Sequence, residues 1–128
     1  MILVDTSVVI DWSHGRDATL QVLLPALPVG VCGVTQAEFL HGSRDAAHRQ
    51  RLLAVLSRFQ FVPMSDELWI KVGDILAALR SRGITVPFPD AVIATLAIEN
   101  DIEVWARDPH FAMMQKALPQ LKLFREPL

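Results

Sequence analysis

Short apolar runs alternate along the chain with stripes of apolar residues at helical spacing, and together they predict the elements in order. Ile2-Leu3-Val4 is an unbroken apolar run, the pattern of a strand buried on both faces. Thr6 and Ser7 follow it with N-cap oxygens for a short helix toward Trp12. Asp17 to about Leu24 predicts a second helix, closed by Pro25 and Pro28, and Val29 to Val34 a second buried strand. Thr35-Gln36-Ala37-Glu38 opens a helix that Gly42 and Ser43 end. Between Asp45 and Arg58 the next helix carries Leu52, Val55 and Leu56 on one stripe, which Phe59 continues. Phe61-Val62-Pro63 predicts a short or edge strand, because Pro63 cannot donate to a ladder. Ser65 caps a helix whose Trp69, Val72, Leu76 and Leu79 recur until Gly83. Pro87-Phe88-Pro89-Asp90 delivers Pro89 to the first position of a helix through about Asn100. Glu103 to Ala106 is a strand, Pro109 to Lys116 a helix, and Leu121 to Phe124 a last strand. Strands alternating with helices predict an α/β sandwich with a central, mainly parallel sheet.

Composition narrows the class. Of 128 residues, 52% are hydrophobic and 20% charged, with a net charge of −2. A chain this long buries roughly two-thirds of its unfolded surface, enough for one core, so residues 1–128 are expected to form one domain. The apolar fraction is too high, and the charge too small, for a disordered protein. One cysteine excludes a disulfide scaffold and a Cys-rich zinc module; Cys32 reads as a small core residue in a reducing compartment. The uncharged window from Ala18 to Ala37 has the length of a membrane span, but Pro25, Pro28, Gly30 and Gly33 break it, and Gln21 and Gln36 oppose it. Asp5 interrupts the apolar N-terminus, which lacks the basic region of a signal peptide. No membrane association and a cytoplasmic location are expected.

The candidate chemistry lies at the ends of the predicted strands. Asp5 follows the first, Glu38 starts the helix after the second, and Asp108 follows the Trp105 strand. Asp90 stands in the first turn of the helix opened by Pro89. In a parallel sheet these positions converge on one edge. Two carboxylates about 4 Å apart repel by roughly 4 kcal/mol at an effective dielectric of 20. A hard divalent ion, Mg²⁺ or Mn²⁺, resolves that repulsion and suits phosphodiester hydrolysis. Each acid also has a plainer reading. Asp5 and Asp108 fit helix caps, Asp90 fits the helix dipole, and Glu38 fits a capping box with Thr35.

The ordered segments Val4-Asp5-Thr6-Ser7, Thr35 to Gly42, Asp90-Ala91-Val92-Ile93-Ala94 and Arg107-Asp108-Pro109-His110-Phe111 resemble a PIN domain. More narrowly, they resemble the VapC-type toxin ribonucleases of toxin–antitoxin pairs. That resemblance implies a three-layer α/β/α sandwich with Asp5, Glu38, Asp90 and Asp108 as the catalytic, metal-binding acids, supported by Thr6 and Ser7. It further implies a Mg²⁺- or Mn²⁺-dependent endoribonuclease that leaves 5′-phosphate and 3′-hydroxyl ends. An RNA substrate, a silencing antitoxin protein and a homodimer are the implied partners. The chain departs from the pattern in two places. Ala106-Arg107 stands where the family often has Thr-Asn, and His110 where some members carry another acid. The first departure predicts a milder role for Asp108.

Basic residues are unevenly placed. Arg44, Arg49, Arg51 and Arg58 face only Asp45 between residues 44 and 58, whereas residues 90–108 hold five acids and only Arg107. The Arg-rich helix has three readings: it leads RNA phosphates to the acids, contacts an acidic partner, or is a solvated face. His14, His41, His48 and His110 form no recognisable ligand pattern and read as surface or turn residues. Trp12, Trp69 and Trp105 read as core, with Trp12 the candidate for a partner-facing groove. The alternative to a nuclease is a degenerate PIN fold that binds a partner without cutting. A flavodoxin-like receiver lacks its paired acids here, and a haloacid-dehalogenase-like phosphatase would need Asp where Ser7 stands.

Overall fold

A computed structural model describes residues 1–127. β1 (Ile2–Val4) is the middle strand of a five-stranded sheet ordered β3-β2-β1-β4-β5, and every pairing is parallel. β2 (Val29–Val31) lies on one side of it and β4 (Glu103–Trp105) on the other; β3 (Gln60–Phe61) and β5 (Lys122–Leu123) form the edges. The strand order therefore reverses at β1, and the crevice beside β1 and β4 is the topological switch point where such sheets bind ligands.

The alternation within β1 separates two cores. Ile2 and Val4 pack with Trp105 against α1 (Thr6–Ser13), α2 (Ala18–Ala26) and α4 (Ala46–Leu56). Leu3 and Val104 face α5 (Leu68–Ser81), α6 (Phe88–Asn100) and α7 (His110–Ala117). α3 (Gly33–His41) bridges both, giving Phe39 to the first core and packing against α1, α4 and α6. These are the layers of an α/β/α sandwich. α6 is its most enclosed helix, with Asp90 through Ala97 all buried.

Several boundaries differ from the pattern for identifiable reasons. Asp5, not Thr6 or Ser7, is the N-cap of α1, because its carboxylate accepts the Ser7 amide. β2 stops at Val31 and α3 opens at Gly33 behind Cys32, two residues before Thr35. The Thr35–Glu38 capping box therefore does not form: Thr35 is fully buried and Glu38 sits in the second turn. α2 continues through Pro25 to Ala26, since a proline in a final turn forfeits little of the ladder. Ser65 does not cap α5: Glu67 is the N-cap, and Ser65 contributes only its carbonyl, which receives the Leu68 amide in the turn before the helix. Phe88 precedes Pro89 in α6. β3 is shorter than expected, although the Val62 amide still reaches Val31 O at 2.8 Å. Trp69 is 47% exposed and is not a core residue.

Candidate active site

Parallel strands deliver the ends of β1 and β4 to the same edge, and the four acids meet there. Asp5 continues β1 by donating its amide to Trp105 O at 2.9 Å, which fixes its Cα against β4. Its Oδ2 accepts the Ser7 hydroxyl at 2.7 Å and the Ser7 amide at 3.2 Å. Ser7 Oγ in turn accepts the Arg107 amide at 3.2 Å, so one hydroxyl ties the loop after β1 to the loop after β4. On α3, Glu38 accepts the Thr6 hydroxyl at 2.7 Å, which turns its carboxylate toward Asp5's neighbourhood. Asp90 enters from the first turn of α6, where the helix N-terminus favours a negative charge. Asp108 Oδ1 accepts the His110 amide at 2.8 Å, just ahead of α7, whose N-cap is Pro109. Asp5 is thus a cap and a member of the cluster at once, whereas Asp108 holds the turn that leads into α7 and caps nothing.

The cluster's electrostatics show how closely the acids converge. Asp5 is 3% exposed and its carboxyl is pushed up to about 7, chiefly by burial and further by Asp108, against the opposing Ser7 hydrogen bonds. Asp90 rises to about 6, chiefly by burial, then by the charge of Asp108, with Glu38 adding to it and His110 opposing. Two acids, Asp108 and Glu38, thus act on Asp90, and Asp108 acts on both buried ones.

Two participants are invisible as motifs. His110, taken from the sequence as a surface or turn residue, stands inside the cluster: its Nδ1 lies 2.9 Å from Asp90 Oδ2 and 3.3 Å from Asp108 Oδ1. The only sequence signal was its place two residues after Asp108, where an Asx turn folds the ring back over the carboxylate. Arg107 replaces the family's amide with a clamp. Its Nε and Nη2 grip the Glu126 carboxylate at 2.9 and 2.8 Å, and its Nη1 reaches Asp11 and Asp17. Trp105 Nε1 donates to Glu126 as well, at 3.0 Å. The guanidinium holds Glu126 and Asp17 below the usual carboxylate range.

The Arg-rich helix α4 divides by residue. Arg51 lines a groove of about 490 Å³ with Ile10, His14, Glu38, Phe39 and His48, so it borders the acids; Arg49 is exposed and outside that groove. Arg44 gives its amide to His48 Nδ1 at 3.0 Å, and Arg58 lies over the Trp12 ring at 5.8 Å. Trp12 meets Phe59 edge-on and lines a separate cavity of about 270 Å³ with Val29 and Gln60, the first residues of β2 and β3. That is the edge of the sheet opposite the acids, so Trp12 does not join them.

The PIN domain model matches residues 2–117. The chain belongs to the PIN domain family. This PIN domain is 28% identical to Ribonuclease VapC1 of Methanocaldococcus jannaschii over 116 residues, covering 90% of this chain and 82% of that protein. Against Ribonuclease VapC10 of Mycobacterium tuberculosis it is 28% identical over 127 residues, covering 93% and 92%. Its fold matches VapBC2 from Rickettsia felis, solved bound to a DNA fragment from their promoter, with a TM-score of 0.79 at 19% identity, over 97% of this chain and 98% of that one. It also matches VapBC-5 of Mycobacterium tuberculosis, a member of a family of toxin-antitoxin systems, with a TM-score of 0.69 at 22% identity over 96% of each chain.

The donor set of this PIN domain fits a divalent cation. Asp90, Asp108 and His110 each present one ligand atom within 4.8 Å of the others. His110 Nδ1 is closed to solvent and, among the described residues, makes no hydrogen bond, an orphaned atom beside two carboxylates. Among the described residues no helix is long and apolar enough to cross a membrane.

Proposed function

We propose that this PIN domain is a divalent-metal-dependent endoribonuclease, the toxin of a toxin–antitoxin pair, working in the cytoplasm as one domain over residues 1–128. The observation that carries the reading is the convergence of Asp5, Glu38, Asp90 and Asp108 at the switch point of a parallel sheet. Two relatives that bear the name ribonuclease support the choice of RNA. In this reading the four carboxylates hold Mg²⁺ or Mn²⁺. A cation there lowers the pKa of water and offsets charge at the attacked phosphate. The protein's own part is orientation. Thr6 holds Glu38, Ser7 holds Asp5, and the buried floor of α6 fixes Asp90.

The groove beside Glu38 suits two visitors in turn. Arg51, His14 and His48 on its rim meet phosphates of the RNA, and Ile10, Phe39, Leu52 and Val55 offer an apolar floor to an antitoxin segment. Exposed Ile70 (75%) and Phe88 (54%) on α5 and α6 are the surface a homodimer would cover. Sequencing RNA 5′ ends after brief expression, wild type against Asp5→Asn, tests the activity. New 5′-phosphate ends are expected only with the wild type. Identical end profiles would replace this reading with a PIN fold that binds without cutting.

A further inference from the structure

We propose that His110 Nδ1 is a nitrogen donor to the cation held by the acids, and that it sets a preference for Mn²⁺ over Mg²⁺. The inference rests on the metal-dependent reading above and adds a ligand that no pattern of acids contains.

The position is built, not incidental. Asp108 accepts the His110 amide at 2.8 Å, and this turn brings the ring back over the carboxylates. Its Nδ1 lies 2.9 Å from one acid and 3.3 Å from another, is shut off from solvent, and has no hydrogen bond to either. Lone pairs on one nitrogen and two carboxylate oxygens repel unless a positive charge stands among them. Neither carboxylate is aligned with the ring nitrogen as a hydrogen-bond partner would be. A metal ion needs no such alignment. Neighbouring ligands of an octahedral ion with bonds of about 2.1 Å stand about 3.0 Å apart. The two separations around Nδ1 bracket that edge.

The donor type then decides which ion is preferred. Mg²⁺ favours oxygen and sheds its hydration reluctantly, so an imidazole adds little for it. A first-row transition ion gains from nitrogen, and a mostly carboxylate set with one imidazole suits Mn²⁺. An acid at position 110 would make the site all oxygen and remove the distinction.

The test uses chelator-stripped protein titrated calorimetrically with MnCl₂ and MgCl₂, and pulsed electron paramagnetic resonance on the Mn²⁺-loaded form. Wild type should bind Mn²⁺ at least about tenfold tighter than Mg²⁺. His110→Ala should lose at least about tenfold for Mn²⁺ and less than about threefold for Mg²⁺, and His110→Asp should bring the two affinities together. A ¹⁴N coupling to Mn²⁺ should be present in wild type and absent in His110→Ala, with circular dichroism confirming that the variant folds. Loaded wild type without nitrogen coupling overturns the proposal even if the variant fails to fold. Equal losses for both ions would also overturn it, making His110 a charge partner of Asp90. Those results leave the metal site standing; no binding of either ion to wild type would remove the metal-dependent reading and this ligand together.

Discussion

Replacing Asp5 with Asn should give a protein that folds better and cuts nothing, with a gain that depends on pH in a defined way. Asp5 is buried, and its carboxyl titrates at about 7 instead of 3.8. A folded-state pKa above the unfolded value means the native state holds the proton more tightly. Stability therefore falls as pH rises from about 4 through about 7, and is lowest above that window. At about 1.4 kcal/mol per pH unit, the charged form costs the metal-free fold about 4 kcal/mol above neutral pH. Asn keeps the shape and, like the protonated acid, accepts the Ser7 hydroxyl as a neutral group, so the variant lacks this pH dependence. The expected gain is about 4 kcal/mol at pH 8.5 and near zero at pH 4. Urea unfolding in excess chelator measures it: with m near 2 kcal/mol/M, the midpoint should rise by about 2 M at pH 8.5 and hardly move at pH 4. A gain of equal size at both pH values, or a loss at pH 8.5, would refute the electrostatic account of the cluster.

Other consequences are testable in the same protein. Asp108→Asn should lower the pKa of both Asp5 and Asp90, read from carboxyl ¹³C shifts against pH, because its charge raises both. Thr6→Val frees Glu38 and should reduce cleavage about tenfold, with unchanged circular dichroism; a loss of fold instead would make Thr6 structural. Arg107→Ala should cost about 1–2 kcal/mol through the Glu126 pair after solvent screening, and Arg107→Lys should recover little, because only the fork spans both oxygens. Because Glu126 is held below its ordinary value, that contribution is present above about pH 4.5 and disappears as pH falls further, which thermal unfolding at pH 3 and 7 would show. Arg51→Ala should flatten the salt dependence of RNA binding by about 0.7 in log K against log salt, and Arg49→Ala should leave it unchanged; equal slopes for both variants would take α4 out of the RNA path.

The fold was legible where burial writes itself into a run of residues. Ile2-Leu3-Val4 must be buried on both faces, and the structure places it at the centre of the sheet with its side chains divided between two cores. The acids were legible because a strand end followed by a helix is a position, and position needs no tertiary knowledge. What escaped were partnerships across the chain. Glu38 four positions into a Thr-x-x-Glu pattern looks like a cap, yet the helix had already begun at Gly33, behind Cys32 as its N-cap. His110 carries no mark of Asp90, which reaches it from another helix. Arg107 read as the loss of a family amide, while its role as a clamp depends on Asp11, Asp17 and Glu126, far apart in sequence.

The placement of β1 also has a consequence for synthesis. β1, which precedes the other four strands in the chain, is the middle of the sheet, and its partner β4 pairs Ile2 with Glu103. Ser7 cannot meet the Arg107 amide, 100 residues away, until those residues have emerged as well. At about 5–20 residues per second, a nascent chain spends many seconds holding Asp5 without Asp108. A polypeptide stalled or broken just before residue 108 carries Asp5, Glu38 and Asp90 but lacks Asp108 and His110. Assembly of the acidic cluster is therefore a late event in synthesis, and a shortened chain cannot complete it.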